Sequence, residues 1–344
     1  MQLTINNYHP HIFVKNLSEQ LSVESSTDCL EEIIELPESL GQGRVTGFMF
    51  SDGISFIVFD CMLSEDWELK FEIKEPSPLQ FIFDIQGELW HALNHGNIRY
   101  HLNPLQGSIS ACPLNSKQNI KIPGKREVLF TMLLVDRATY LNKIDCMVDQ
   151  MPEKLSSIFT DTNAENSFLY QGNYSIAAAE CIRKITLDDH DGIVRSTYLE
   201  GKVLELLSRQ IKQFKDDLLL PGKQVMLRKN DIDKIKIARD LLIENFHAPP
   251  TIAVLAKKSG INQQKLKAGF KNIFDKTINQ YLTEERMEMA SLLLLKDHSV
   301  KEVASEVGYS NHSYFSRKFK AKYGVLPKDY LKSVKAKMSR LELE

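Results

Sequence analysis

The sequence has 344 residues, of which 43% are hydrophobic and 26% charged, so its composition is globular and excludes a disordered or collagen-like chain. No apolar run approaches the roughly 18 residues of a membrane span. The first residues lack the basic and apolar regions of a signal peptide, so we expect a cytoplasmic protein that does not bind membranes. The net charge of −2 is uneven, because residues 1–225 carry 20 basic and 31 acidic side chains, whereas residues 226–344 carry 23 and 14. The basic part indicates an anionic partner such as nucleic acid.

Residues 1–150 contain short β-prone runs separated by Gly and Pro, among them 54–59, 79–85 and 128–135. Many short strands with frequent turns predict a β sandwich or small barrel. Gly41, Gly43 and Gly47 approach a dinucleotide-binding fingerprint, but the last spacing departs from it and a turn is the simpler prediction. Because phosphate-loop, nucleophile-elbow and HExxH motifs are also absent, we predict neither a cofactor nor an enzyme.

Aromatic side chains in this part of the chain are candidates for the lining of an effector pocket, with barrel core as the alternative. They are Phe81, Phe83, Trp90 and Tyr100. Three histidines lie close to Trp90 in the sequence, at 91, 95 and 101. They lack the His-x-His pattern with a downstream carboxylate and His, so no metal is predicted.

The five cysteines lie in the acidic part, at positions 29, 61, 112, 146 and 181. Their spacing fits neither a metal nor a redox pair, and buried free thiols are expected. An enzyme fused to a DNA-binding module, such as a DNA-repair methyl transferase, is the alternative function. It requires a cysteine whose neighbours lower its pKa, and none of the five has a recognisable nucleophile context.

Residues 151–225 are predicted to be helical, with helices near 175–187 and 195–214 and a linker near 216–228. The second helix carries an apolar stripe that either joins the core or forms a dimer contact. Its candidate dimer residues are Leu199, Val203, Leu206 and Leu207.

The remaining residues, 226–340, are predicted to form helices separated by short breaks with capping residues. The expected elements are Asp231–Asn245, Ile252–Ser259, a helix opened by Asn262 and ending near Ile273, a long one capped by Thr277 and ending near Lys296, Val300–Val307 capped by Ser299, a helix opened by Ser310 and ending near Tyr323, and a last one starting at Pro327.

Residues 251–271 and 299–320 repeat one pattern: a capped short helix, an Ala-x-x-x-Gly turn and a second helix that ends in Phe-Lys. The glycines, Gly260 and Gly308, lie 48 positions apart. A small residue at the helix crossing and a glycine in the turn are what a helix-turn-helix requires. The helix between the two copies would span about 30 Å at 1.5 Å per residue. That length would let one chain place both second helices in consecutive major grooves, about 34 Å apart.

The second copy resembles the AraC/XylS family of bacterial transcriptional regulators. The matching residues are Val303, Ala304, Gly308, Tyr309, Ser310, Ser313, Tyr314, Phe315, Ser316, Arg317, Phe319, Lys320, Gly324, Pro327 and Tyr330. The resemblance implies an α+β multidomain chain: a cupin-like β-barrel sensor (1–150), a helical dimerisation or linker region (151–225) and an all-α tandem helix-turn-helix domain (226–340). Stretches 265–271 and 198–207 are similar to a subgroup whose studied members sense ferric siderophores.

The resemblance also implies partners: double-stranded promoter DNA, RNA polymerase, a small-molecule effector and a second copy of the chain. An activator is the expected output. Leu331 departs from the family, which often has Arg there, and Ala268 and Gly269 suggest that the first copy reads fewer bases.

Helix geometry assigns the outward side chains of each second helix to DNA. The predicted base-reading residues are Gln264, Lys267, His312, Ser313, Ser316 and Arg317, and the predicted phosphate contacts are Lys265, Lys271 and Lys320. Arg317 suits guanine O6 and N7, and Gln264 suits adenine. A phosphate contact is the alternative for Arg317, and a solvated face is the alternative for Lys328, Lys332, Lys335, Lys337 and Arg340.

Overall fold

The computed structural model describes residues 1–28, 31–93, 96, 98–219, 229–296, 298–330 and 332. The chain divides into two compact units, Met1–Gln224 and Val225–Glu344. Among the described residues, none of the helices has both the length and the apolar character needed to span a membrane.

The first unit is rich in β structure. Its strands are β1 (Gln2–Ile5), β2 (Ser25–Asp28), β3 (Glu31–Glu35), β4 (Gly41–Met49), β5 (Ile54–Leu63), β6 (Trp67–Phe71), β7 (Leu79–Gln86), β8 (Leu89–Leu93), β9 (Ile98–Leu102), β10 (Gln106–Ala111), β11 (Gln118–Ile122), β12 (Glu127–Val135) and β13 (Phe168–Tyr174). They form a five-stranded sheet, β1-β6-β11-β8-β9, and an eight-stranded sheet, β13-β10-β7-β12-β5-β4-β3-β2. The predicted β-rich domain is confirmed, but in the described part of the chain its strands make two sheets and no closed barrel.

The two sheets pack because their strands alternate in the side chains they send inward. Trp67 and Leu69 of β6 share a core with Phe130 of β12, between the sheets. Phe81 and Phe83 of β7 belong to a second core, on the other face of the eight-stranded sheet. Strand β7 is therefore buried on both faces.

The helices of the first unit are α1 (Pro10–Leu21), α2 (Arg137–Ile144), α3 (Glu153–Thr160), α4 (Ile176–Thr186) and α5 (Gly192–Leu219), with a 3-10 helix at Asp145–Gln150. Sequence patterns did not predict α1, which packs Phe13 and Leu17 into the core between the sheets. The glycines Gly41, Gly43 and Gly47 lie within β4, so the turn predicted there is wrong.

Helix α5 is longer than the predicted 195–214, and its apolar stripe lies in the core. Leu199, Val203, Leu206 and Leu207 are 0–2% exposed and pack against the eight-stranded sheet with α4. Because the stripe is used within the chain, it offers no free surface to a second copy. Residues 220–228 of the predicted linker lie outside the described residues.

The second unit is helical. Its helices are α6 (Lys229–Glu244), α7 (Ile252–Ser259), α8 (Gln263–Phe274), α9 (Ile278–Leu295), α10 (Val300–Glu306) and α11 (His312–Tyr323), and residues 327–330 are also helical. Thr251, Asn262, Thr277 and Ser299 cap the helices that follow them, as predicted. The cap of α11 is Asn311 and not Ser310, because the Asn311 side chain accepts a hydrogen bond from the Tyr314 backbone N–H at 2.9 Å.

Candidate nucleic-acid interface

The pairs α7–α8 and α10–α11 have the same turn geometry. Gly260 and Gly308 take positive φ angles of 69° and 82°, the left-handed conformation that favours glycine. The residues that follow them donate backbone hydrogen bonds back into the first helix, Ile261 to Ala256 at 3.0 Å and Tyr309 to Ala304 at 2.8 Å. Both pairs are therefore helix-turn-helix units.

Helix α8 buries one face and exposes the other. Leu266 and Phe270 are fully buried, whereas Gln264, Lys267 and Lys271 are exposed. Lys265 differs from the other predicted DNA contacts, because its ammonium group lies 2.8 Å from a carboxylate oxygen of Asp231 on α6. Its charge is thus already partly neutralised within the protein.

Helix α11 follows the same division. Phe315 and Phe319 are fully buried, and Ser313, Arg317 and Lys320 are exposed. His312 and Ser316 are half-buried at the edge of the exposed face. The His312 Nδ1 atom is buried and has no hydrogen-bond partner among the described residues.

Tyr314 also lies on the exposed face of α11, although it is not among the predicted DNA contacts. Its side chain is 41% exposed, and the guanidinium carbon of Arg317 lies 5.4 Å from its ring centroid. Lys318 lies 5.5 Å from the same ring. The i, i+3 spacing of Tyr314 and Arg317 on a helix is the sequence signal for this cation–π contact.

Arg286 on α9 connects the two helix-turn-helix units. Its guanidinium donates hydrogen bonds to the backbone carbonyls of Phe246 at 2.7 Å and His247 at 3.1 Å, just after α6. It also lies 5.2 Å from the ring centroid of Tyr309, in the turn between α10 and α11. Arg286 therefore links the residues just before the α7–α8 pair to the turn of the α10–α11 pair.

Two residues of α8 at which the sequence departs from the family do not lie on its fully exposed face. Gly269 is buried, and Ala268 is half-buried. In the later basic run Lys328 and Lys332 are exposed. Leu331, Lys335, Lys337 and Arg340 lie outside the described residues.

The first unit does not bring the four predicted pocket residues together. Phe81 and Phe83 lie in the core against the helices, Tyr100 lies in the core between the sheets, and Trp90 is 57% exposed. Alternation along neighbouring strands separates them, since Trp90 and Tyr100 face opposite sides of the five-stranded sheet.

The histidines of this region are held by other side chains. His91 is buried and shares a hydrogen bond with the Tyr100 hydroxyl, which lies 3.1 Å from Ser108 on the facing sheet. Burial lowers the pKa of His91 to about 3, so the ring is neutral. His101 stacks on Trp90 at 4.4 Å, and His95 lies outside the described residues.

Comparison with known proteins matches both units. A helix-turn-helix domain model matches residues 255–333, and a model described as the regulatory protein PchR N-terminal domain matches residues 42–222. Regulatory protein PchR of Pseudomonas aeruginosa is 35% identical over 108 residues, which are 31% of this chain and 36% of PchR. Regulatory protein SoxS of Escherichia coli is 30% identical over 99 residues, 28% of this chain and 92% of SoxS. A structure of ToxT from Vibrio cholerae is 13% identical, with a TM-score of 0.32 and coverage of 81% of this chain and 97% of that one.

The paired helix-turn-helix units define a transcriptional regulator of the AraC type. Because the PchR N-terminal domain model covers more than half of the chain, this protein belongs to the family of AraC-type regulators that carry that domain.

Proposed function

We propose that the second unit binds double-stranded promoter DNA and inserts α8 and α11 into consecutive major grooves. The observation that carries this proposal is the tandem arrangement of two recognition helices, each with a polar exposed face and a buried aromatic one. Helix α9 between them has 18 residues and spans about 27 Å at 1.5 Å per residue. This length is comparable with the separation of about 34 Å between adjacent major-groove faces.

Within each recognition helix, roles follow from exposure and chemistry. Gln264, Lys267, Ser313 and Arg317 are exposed donors suited to base edges, with Arg317 bidentate to guanine. His312 and Ser316 are assigned base contacts at the edge of the same face. Lys271 and Lys320 are assigned to phosphates, and Lys265 to a weaker phosphate contact because it is paired with Asp231.

In this proposal the first unit senses a small-molecule effector. The chain then activates transcription in the cytoplasm through contact with RNA polymerase. A ferric siderophore stays a prediction that rests on the subgroup resemblance. The active form is proposed to be a homodimer. Since the apolar stripe of α5 is buried, the dimer contact is proposed to use another surface.

The fused-enzyme alternative needs a reactive thiol, and two of the cysteines have the opposite environment. Burial raises the pKa of Cys61 to about 12 and that of Cys181 to about 11. A thiol with a raised pKa is a poor nucleophile at neutral pH, so neither of these two residues suits methyl transfer. Cys112 is also buried, but Cys146 is exposed, so the expectation of buried thiols is wrong at that position, and Cys29 lies outside the described residues.

Binding-site selection from random duplexes tests the base-reading role, with the intact chain and two variants. Arg317→Ala should relax discrimination at one base position, by about 1–3 kcal/mol. Lys320→Ala is the matched control and should weaken binding about equally for all sequences. Unchanged discrimination in Arg317→Ala would refute the role of Arg317.

A further inference from the structure

The outer face of the five-stranded sheet carries a cleft of about 460 Å³. Three neighbouring strands supply the side chains that matter for its chemistry. They are Trp90 and Ala92 on β8, Asn119 and Lys121 on β11, and Arg99 on β9. Its volume falls within the roughly 300–1,000 Å³ of small-molecule sites.

The strand register explains the shape of the cleft. Trp90 pairs with Lys121 on one side, and two residues later Ala92 lies between Asn119 and Arg99. Residues two apart on a strand share a face. The short side chain of Ala92 therefore leaves space between the indole of Trp90 and the longer side chains of Asn119 and Arg99.

Charge makes this cleft unusual for the unit that carries it. Residues 1–225 have an excess of acidic side chains, 31 against 20 basic ones, yet three basic residues and one carboxylate line the cleft. That carboxylate, Glu68, is already hydrogen-bonded to Asn119 at 3.3 Å and to Gln2 at 3.1 Å. Lys117 is paired with Glu72 at 4.0 Å. Over the described residues, Lys121 and Arg99 have no carboxylate within ion-pair distance, so these two charges outweigh that of Glu68 and the cleft attracts anions.

Trp90 adds an apolar aromatic surface to this positive site. The residue is 57% exposed, while the only other tryptophan, Trp67, is 1% exposed. The ring of Trp90 is held against His101, with ring centroids 4.4 Å apart. An ordered, exposed indole beside cationic groups offers a stacking surface for a flat ring and charge pairing for an acidic group on that ring.

We propose that this cleft is the effector site of the first unit and that it binds a planar conjugated anion, an aromatic carboxylate or phenolate. The ring stacks on Trp90, and the anionic oxygen pairs with Lys121 and Arg99. This inference rests on the proposed function, in which the first unit senses a small molecule.

Tryptophan fluorescence of the intact chain tests the proposal, with para-nitrobenzoate as the anionic probe and para-nitrobenzamide as its neutral counterpart. Nitroaromatic rings quench an indole on which they stack, and Trp90 is the accessible one. We expect saturable quenching by the carboxylate, with half-saturation at about a millimolar or below for a ligand of this size, and no saturation with the amide. Trp90→Phe should remove the quenching, because Trp67 is shielded.

The double variant Arg99→Gln/Lys121→Gln should raise the half-saturation concentration of the carboxylate at least about tenfold. Lys154→Gln, an exposed lysine on α3, is the matched control and should leave that concentration unchanged. Quenching that rises linearly and equally with both probes, or an unaffected double variant, overturns the cleft proposal. Duplex DNA binding by the same samples separates the two ideas, since intact DNA binding without saturable quenching removes only the cleft, whereas absent DNA binding removes the proposed function.

Discussion

The two turn glycines should respond very differently to alanine. Both Gly260 and Gly308 have positive φ, so each substitution costs about 1–2 kcal/mol of backbone strain. At Gly260 the nearest atom to an added Cβ is a lysine side-chain carbon 3.8 Å away. At Gly308 the added Cβ would overlap the carbonyl oxygen of His247 and lie 2.6 Å from the Arg286 guanidinium.

The overlap at Gly308 adds two further costs. Overpacking against backbone costs about 1–3 kcal/mol, and weakening the charged hydrogen bonds of Arg286 adds to it. We therefore expect Gly308→Ala to destabilise the second unit by roughly 3–6 kcal/mol, against about 1–2 kcal/mol for Gly260→Ala. For a unit of this size, 1 kcal/mol lowers the melting temperature by about 3–5 °C.

Scanning calorimetry of the intact chain measures this difference. The transition of the second unit is the one that duplex DNA shifts upward, because DNA binds only its folded state. We expect a decrease of about 3–10 °C for Gly260→Ala, and a much larger decrease or loss of the transition for Gly308→Ala. Equal decreases in melting temperature for the two variants would show that crowding of the added methyl group against His247 and Arg286 does not destabilise the second unit.

Three further predictions concern single side chains. Arg286→Lys loses the fixed hydrogen-bond geometry to the residues just after α6. It should therefore weaken binding to a duplex with contact sites for both α8 and α11 about tenfold, while a duplex with one of these sites binds within about twofold of wild type. Equal losses for the two duplexes in a mobility-shift titration would argue against a link between the two helix-turn-helix pairs. Burial raises the pKa of Asp84 to about 7, so its protonated form stabilises the fold below pH 4 and that stability is lost as pH rises toward 7. The stability gain of Asp84→Asn over wild type in urea unfolding should therefore grow between pH 4 and 7, by on the order of 4 kcal/mol, and a gain independent of pH would contradict this reasoning. Lys271→Gln should lower the slope of log affinity against log salt by about 1, because it is assigned to a phosphate. Lys265→Gln should lower it by less because of its pairing with Asp231, and the reverse order would exclude the assigned roles.

Local signals account for what the sequence predicted well. The second unit is built from short helices whose limits depend on one capping side chain or one glycine, so Thr251, Asn262, Thr277 and Gly308 could be read directly. Exposure of Arg317 followed from the helical period, because Phe315 and Phe319 fix the buried face.

Features that depend on distant partners could not be predicted in the same way. The alternation of side chains along β7 and β9 does not show that Phe81 and Tyr100 belong to different cores, since that depends on which sheet lies on each face. The stripe on α5 favours core over interface from its pattern alone, and only the eight-stranded sheet packed against it decides between them. The contacts of Arg286 join residues 39 and 40 positions apart, beyond any local pattern.

One chain is proposed to read two consecutive major grooves through α8 and α11. Selection of random duplexes with the wild-type chain, followed by hydroxyl-radical footprinting of the enriched sequence, tests it most directly. We expect two protected blocks on the same face of the duplex, with centres about 10 base pairs apart. A single protected block, or enrichment of no sequence over random duplex, would contradict it.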